Sequence, residues 1–246
     1  MREDWSKRAR ENAFYYIASW RKDWDEDAFW QAGREDYERL VASVLVRHGI
    51  SPERKSMLEL GCGMGRMTRS FAQNFERVIG LDISSEMLDR ARLLNPSAHN
   101  VEWLLGNGVD LGCVPSSSVD FVFSYLVLQH LPKESMVHSY VRDILRVLAS
   151  RGIALFQFNG TREKGMNWKG RAAWALVDSI WVARLRTLSR STARILGLDP
   201  NMAGKSWHGV HVRTEDIAQT VQRSGGTVIE LKGVNTPMAW CYAQKK

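Results

Sequence analysis

The stretch LELGCGMGR at residues 58–66 constrains this chain more than any other, because a short apolar run breaks there into three glycines on alternate positions, Gly61, Gly63 and Gly65. A strand that enters such a loop and leaves it as a helix must turn tightly, and its backbone stays open to a ligand. The first amides of the following helix have no partner inside the helix, which suits an anionic or polar ligand group. Asp82 ends the next apolar run, RVIGLD, 21 positions after Gly61, where its carboxylate can accept hydrogen bonds from two ribose hydroxyls. Loop and carboxylate together imply an adenosine-type cofactor.

The surrounding pattern supplies the fold class. SMLEL, MGRMTRSFAQNF, RVIGLD, SSEMLDRARLL and VEWLLG alternate short apolar runs with longer amphipathic ones, in the order strand, helix, strand, helix, strand. VDFVFSYLVL predicts a strand end entering a helix, ESMVHSYVRDILRVL a helix and GIALFQFN a further strand. Units of this size argue for an α/β fold, a parallel sheet with helices on both faces. TEDIAQTVQRSGG predicts a helix capped by Thr214 and stopped at Gly225. TVIELKG and MAWCYAQK, joined by VNTP, then predict a closing antiparallel hairpin. Residues 1–49 carry Trp5, Trp20, Trp24 and Trp30 among many charges at helical spacing. They predict an N-terminal helical cap, followed by a main domain over 50–246 with a basic helical insertion at 160–213.

Composition excludes several classes. A chain of 246 residues suits one sizeable core. MREDWSKRARENAFYY lacks the apolar centre of a signal peptide, and no apolar run approaches the ~18–20 residues of a membrane span, so a cytoplasmic location is expected. Cys62, Cys113 and Cys241 are scattered and odd in number, which points to reduced thiols and no metal site. The net charge of +7 is concentrated in residues 160–213, where ten Lys or Arg face only Glu163, Asp178 and Asp199.

Glycine spacing selects the cofactor. Dinucleotide enzymes use G-x-G-x-x-G, and counting from Gly61 puts Arg66 at the last position. LELGCGMGR, GLDIS and VDFVFSYLVLQHLP, in that order over most of 56–159, resemble class I S-adenosylmethionine-dependent methyltransferases of the small-molecule type. The resemblance implies a Rossmann-like, seven-stranded, mostly parallel sheet with an antiparallel last strand. It also implies S-adenosyl-L-methionine as cofactor and S-adenosyl-L-homocysteine as product. Glu59, Gly61, Cys62, Gly63 and Gly65 would surround the methionine part, Asp82 would bind the ribose, and Ile83 and Met87 would flank adenine. Asn107, Gly108 and Val109 match the segment that commonly supplies an aspartate to the adenine amino group; Asn107 offers its amide carbonyl instead. Ser124 and Tyr125, ending the fourth strand, would lie beside the amino acid moiety.

The acceptor side is less constrained. The resemblance places His130 near the transferring methyl as a candidate general base, a role that suits an imidazole near neutral pH, and packing at a helix start is the plainer role. Cys62 reads as a small residue packed under the loop, not a nucleophile. Tyr15 and Tyr16 are either a lid over a sulfonium or the aromatic core of a helix pair. Trp207 and His208 are expected to line the acceptor pocket; His208 and His211 lack a third ligand for a metal. Residues 168–196 put Trp174, Val177, Trp181, Leu185 and Leu188 on one helical face and Arg186, Arg190 and Arg194 on the other. That pattern fits a docked lid or a helix at an anionic membrane surface. The expected reaction is methyl transfer to an oxygen or nitrogen of a small-molecule acceptor, with a lipid-linked or amphiphilic acceptor at a membrane as the alternative. Nucleic acid is disfavoured, because SYLVLQHLP lacks the Asn or Asp, Pro, Pro, aromatic run of base-amine methylation.

Overall fold

Among the residues described by the computed structural model, namely 1–160 apart from Trp20 and Lys22 together with 209–246, three helices come first. They are α1 (Arg2–Ile17), α2 (Glu26–Tyr37) and α3 (Ser43–Arg47). The sheet follows: β1 (Ser56–Leu60), β2 (Arg77–Asp82), β3 (Val101–Leu105), β4 (Val119–Ser124), β5 (Leu148–Phe158), β6 (Gly226–Lys232) and β7 (Ala239–Lys245). Helices α4 (Thr68–Asn74), α5 (Ser85–Leu94), α6 (Glu134–Val147) and α7 (Thr214–Arg223) are interleaved with the strands.

The strand order is β3-β2-β1-β4-β5-β7-β6. Strands β1 to β5 are parallel, and β7 runs antiparallel between β5 and β6. The fold is thus the expected Rossmann-like sheet with its antiparallel last strand. Two-residue alternation divides the core between the faces. Leu58, Val122, Ala154 and Phe156 pack on one face with Tyr140, Val141 and Ile144 of α6 and Ile217 and Val221 of α7. Met57, Phe121, Phe123 and Leu155 pack on the other with Tyr37, Val41, Leu45, Phe71 and Phe75. Burying each such side chain is worth roughly 1.5–3 kcal/mol.

From β1 the chain winds outward through β2 to β3 and then returns to place β4 against the other side of β1. Open α/β sheets bind ligands at the carboxyl ends of the strands where the order reverses. Leu60 and Ser124 are register partners at that point, and Ser124 Oγ donates to the Leu60 carbonyl at 3.2 Å.

One boundary differs from expectation. The N-cap of α7 is Arg213, one residue before Thr214, and its side chain makes no capping bond. Thr214 is instead drawn into the interior, 3.3 Å from where a β-carbon on Gly160 would stand, with Oγ1 buried and without a hydrogen-bond partner. Residues 168–196, Trp207 and His208 lie outside the described residues. Among the described residues, no helix is long and apolar enough to cross a membrane, and no cluster of His, Cys, Asp and Glu could hold a metal ion.

Candidate active site

The glycine loop leaves β1 with φ of +79° at Gly61, +55° at Gly63 and +87° at Gly65, a region that side chains rarely tolerate. The amides of Gly61 and Cys62 both donate to the Leu81 carbonyl, at 2.7 and 3.1 Å, which pins the loop to β2. Space above it is tight. A β-carbon on Gly61 would come within 2.1 Å of Val127 Cγ2, and one on Gly63 within 2.9 Å of Ile17 Cδ1.

Asp82 closes the far side of the loop. Its Oδ2 accepts from the Gly63 amide at 3.0 Å and its Oδ1 from the Ser84 amide at 2.9 Å. Burial pushes its pKa up, and the amides of Ser84, Gly63 and Ile83 pull it back down. These amides take up most of the about four acceptor directions of the carboxylate and leave room for a further donor. Met87 is buried in the first turn of α5, whose N-cap Ser84 accepts from the Met87 amide at 3.3 Å. Gly108 lies against Ile83: a β-carbon there would be 3.4 Å from Ile83 Cδ1 and 3.8 Å from Met1 Cε. Asn107 has a local occupation. Its carbonyl accepts from the amides of Val109 and Asp110 at 2.8 and 3.0 Å, and its Nδ2 donates to Asp110 Oδ1 at 2.7 Å. Val109 is exposed.

Beneath the loop, Glu59 is buried and its pKa is pushed up to about 8 by desolvation, against the pull of the Thr68 hydroxyl that donates to Oε2 and of the Arg66 charge. Cys62 is buried too, its thiol pKa raised well above the usual value by burial first and the charges of Asp82 and Glu59 second. Such a thiol is a packing group, not a nucleophile. Arg66 reaches α2, where its Nη1 donates to Asp36 Oδ2 at 2.7 Å.

The exit of β4 forms the opposite wall. Tyr125 stacks on Trp240 with ring centroids 5.3 Å apart, and the next residue, Leu126, holds the left-handed φ of +59°. A 3-10 turn over Leu128–His130 follows. The His130 ring meets Trp5 edge to face at 5.3 Å, and its Nε2 is 3.3 Å from Gln129 Nε2.

Helix α1 spans the carboxyl ends of the central strands. Arg2 Nη2 donates to the Gly106 carbonyl at 2.8 Å beyond β3, and the hydroxyls of Ser6 and Ser84 are 3.2 Å apart beyond β2. Trp5 reaches His130 beyond β4, and Ile17 covers the loop after β1. The helix is broken at Asn12 (φ −165°, ψ 86°), whose Oδ1 accepts from the Tyr15 amide at 3.1 Å and so caps the second segment. Tyr15 and Tyr16 follow that break with rings 5.1 Å apart, and the Tyr16 hydroxyl donates to Glu11 Oε2 at 3.4 Å. The side chain from this segment that covers Gly63 is Ile17.

The structure thus gathers Glu59, the glycine loop, Asp82, Ile83, Met87, Gly108, Ser124, Tyr125 and His130 along one edge of the sheet, where α1 reaches Gly63, Ser84, Gly106, Gly108 and His130. Reading the sequence alone missed Ile17 and Asp36, which belong to no motif, and Val127, which lies inside VDFVFSYLVLQHLP but was given no role. The available signal was Gly33, a glycine inside a helical pattern, which marks a close approach. A β-carbon there would lie 2.1 Å from the Arg66 carbonyl oxygen.

Residues 58–156 match the family described as "Methyltransferase domain". The biotin biosynthesis bifunctional protein BioHC of Cellvibrio japonicus is 35% identical over 127 residues, 52% of this chain and 24% of that protein. The malonyl-[acyl-carrier protein] O-methyltransferase of Serratia marcescens is 30% identical over 141 residues, 57% of this chain and 51% of that protein. The chain therefore spans about half the length of one of these curated relatives and about a quarter of the other. Among solved structures, magnesium protoporphyrin IX methyltransferase from Synechocystis PCC 6803 with bound SAH shares the fold, with a TM-score of 0.62 at 16% identity over 100% of this chain and 98% of that one. Residues 58–156 thus carry the likeness to methyltransferase domains, and the fold is the one this solved methyltransferase shares.

Proposed function

We propose that this protein transfers a methyl group from S-adenosyl-L-methionine to an oxygen or nitrogen of a small-molecule acceptor. The observation that carries the proposal is Asp82, held by backbone amides at the end of β2 directly across from the glycine loop. Ribose hydroxyls are the donors proposed to meet it. Gly61, Gly63 and Gly65 hold left-handed φ with Val127, Ile17 and Trp103 packed against them, so the loop has bare backbone of fixed shape beside Asp82. Ile83, Met87, Gly108 and Val109 are the proposed adenine wall, with Asn107 holding the turn that presents it. Glu59, Cys62, Ser124 and Tyr125 are proposed around the amino acid moiety.

When bound, the cofactor supplies an electrophilic methyl together with its own leaving group. The chain's task is then orientation and exclusion of water, and α1 serves the second by roofing the edge. His130 is the proposed catalytic contact to the acceptor, at the strand exit beside the roof. Tyr15, Tyr16, Trp207 and His208 are proposed for the acceptor side, and two relatives named for biotin biosynthesis and malonyl-carrier O-methylation support a carboxylate or similar oxygen among the acceptors to screen first.

Calorimetric titration of S-adenosyl-L-methionine, S-adenosyl-L-homocysteine and NADH, with Asp82→Ala as control, tests the reading. Binding of the first two, lost in the variant, is expected. Binding of NADH alone would overturn it.

A further inference from the structure

A chain of two glutamine amides runs from the sheet to His130. Gln157, fully buried near the end of β5, donates from Nε2 to the carbonyls of Phe158 and Pro237 at 3.1 and 2.9 Å, while its Oε1 accepts from the Leu126 amide at 3.1 Å. Those partners allow one orientation only. Turned over, the amide would set an oxygen against two carbonyls and N–H against N–H. Gln157 Nε2 is also 2.9 Å from Gln129 Oε1, so its two N–H are shared among three oxygens. This fixes the second amide in turn, because the oxygen of Gln129 is the atom that must face Gln157. Its Nε2 is left toward the ring, 3.3 Å from His130 Nε2.

We propose that Gln157 and Gln129 are positioning residues that decide which nitrogen of His130 carries the proton: Nε2 accepts from the Gln129 amide, and the proton resides on Nδ1. An amide nitrogen can only donate, so the ring nitrogen facing it must present a lone pair. A proton on Nε2 would oppose two donors unless Gln129 rotated, and rotation would break its bond to Gln157. The same Gln157 ties down Leu126, whose left-handed φ is the strained point of the turn that carries His130. One buried side chain thereby couples the backbone of the turn to the protonation pattern of the ring. Where the methyl-transfer reading above holds, the consequence is that His130 does not collect the acceptor's proton at Nε2; the ring contributes a fixed N–H at Nδ1 and its shape. The assignment of the proton itself does not depend on that reading.

Nitrogen-15 spectra of histidine-labelled full-length protein test it, in alkaline buffer and without cofactor, with the His130 signals identified by their loss in His130→Asn. The expected result is a pyrrole-like Nδ1 and a pyridine-like Nε2 for His130. Gln129→Glu, which keeps an acceptor for Gln157 but replaces the N–H facing the ring by a carboxylate oxygen, is expected to move the proton to Nε2. A wild-type ring with its proton on Nε2, or a Gln129→Glu spectrum with the wild-type pattern, would overturn the proposal. Failure of the calorimetric test with a pyridine-like Nε2 would instead sink the methyl-transfer reading and leave the relay standing.

Discussion

Arg66 Nη1 lies 2.7 Å from Asp36 Oδ2, and the two side chains are only 5% and 12% exposed. This pair fastens α2 to the residue that ends the glycine motif, so the helices preceding the sheet and the loop share one electrostatic clasp. Arg39 also pairs with Asp36 from the more exposed side. Removing one partner of a buried pair strands the other charge, which costs about 3–5 kcal/mol, whereas replacing both by apolar residues is often neutral. Asp36→Ala is therefore expected to lose stability in that range in urea unfolding, and Asp36→Leu with Arg66→Met to recover most of it. If the double variant is as unstable as the single one, the loss comes from packing and not from the stranded charge.

Gly33 presents a contest between two effects. In an exposed helix interior, Gly to Ala gains about 0.8–1.0 kcal/mol. Here the added β-carbon would stand 2.1 Å from the Arg66 carbonyl oxygen, a distance no backbone atom accepts, so α2 or the loop must shift. Overpacking of this kind typically costs 1–3 kcal/mol, and the close approach is expected to win. Gly33→Ala should lower the urea midpoint and weaken S-adenosyl-L-homocysteine binding; a raised midpoint would show that helix propensity dominates.

The sheet was legible because its strands, buried on both faces as Phe121, Val122 and Phe123 are, read as short apolar runs between amphipathic stretches, and because loop glycines and Asp82 are demanded by backbone geometry. The closing strands were legible as a hairpin for the same reason. Thr214 was misplaced by one residue because a threonine before two acids looks like a cap whether it faces the helix amides or the interior. The covering residues were not legible at all. Ile17 and Val127 reach the loop only through the path of α1 and the strained exit of β4, and nothing local in their own segments encodes that meeting. Gln157 was hidden inside GIALFQFN, where it reads as one polar residue in a buried strand.

Asp82→Asn separates the roles of charge and shape at the proposed ribose position. The variant keeps one acceptor oxygen but puts an NH2 group against the amide of Gly63 or of Ser84, each of which now donates to a carboxylate oxygen. A hydrogen bond to a charged group is worth about 1.5–3 kcal/mol, so affinity for S-adenosyl-L-homocysteine should fall about 10- to 150-fold. Calorimetry on variant protein with an unchanged circular dichroism spectrum checks this. An unaltered dissociation constant would remove Asp82 from the site.

Glu59 should make both stability and binding depend on pH. Its carboxyl pKa is raised from 4.5 to about 8, chiefly by burial, so between those values the folded protein holds a proton that the unfolded chain has released. Stability must then fall as pH rises through that window, since the native state binds more protons than the unfolded one. Glu59→Gln, which cannot ionise, should flatten this part of the stability profile measured by urea unfolding across the window. The proposed cofactor carries positive charge on its amino acid moiety and sulfonium, and a cation beside Glu59 favours the carboxylate. Binding at neutral pH should accordingly release protons. Titrations of S-adenosyl-L-methionine in two buffers of different ionisation enthalpy should give different heats for the wild type and closely matching ones for Glu59→Gln. Matching heats for the wild type would place Glu59 away from the bound cation.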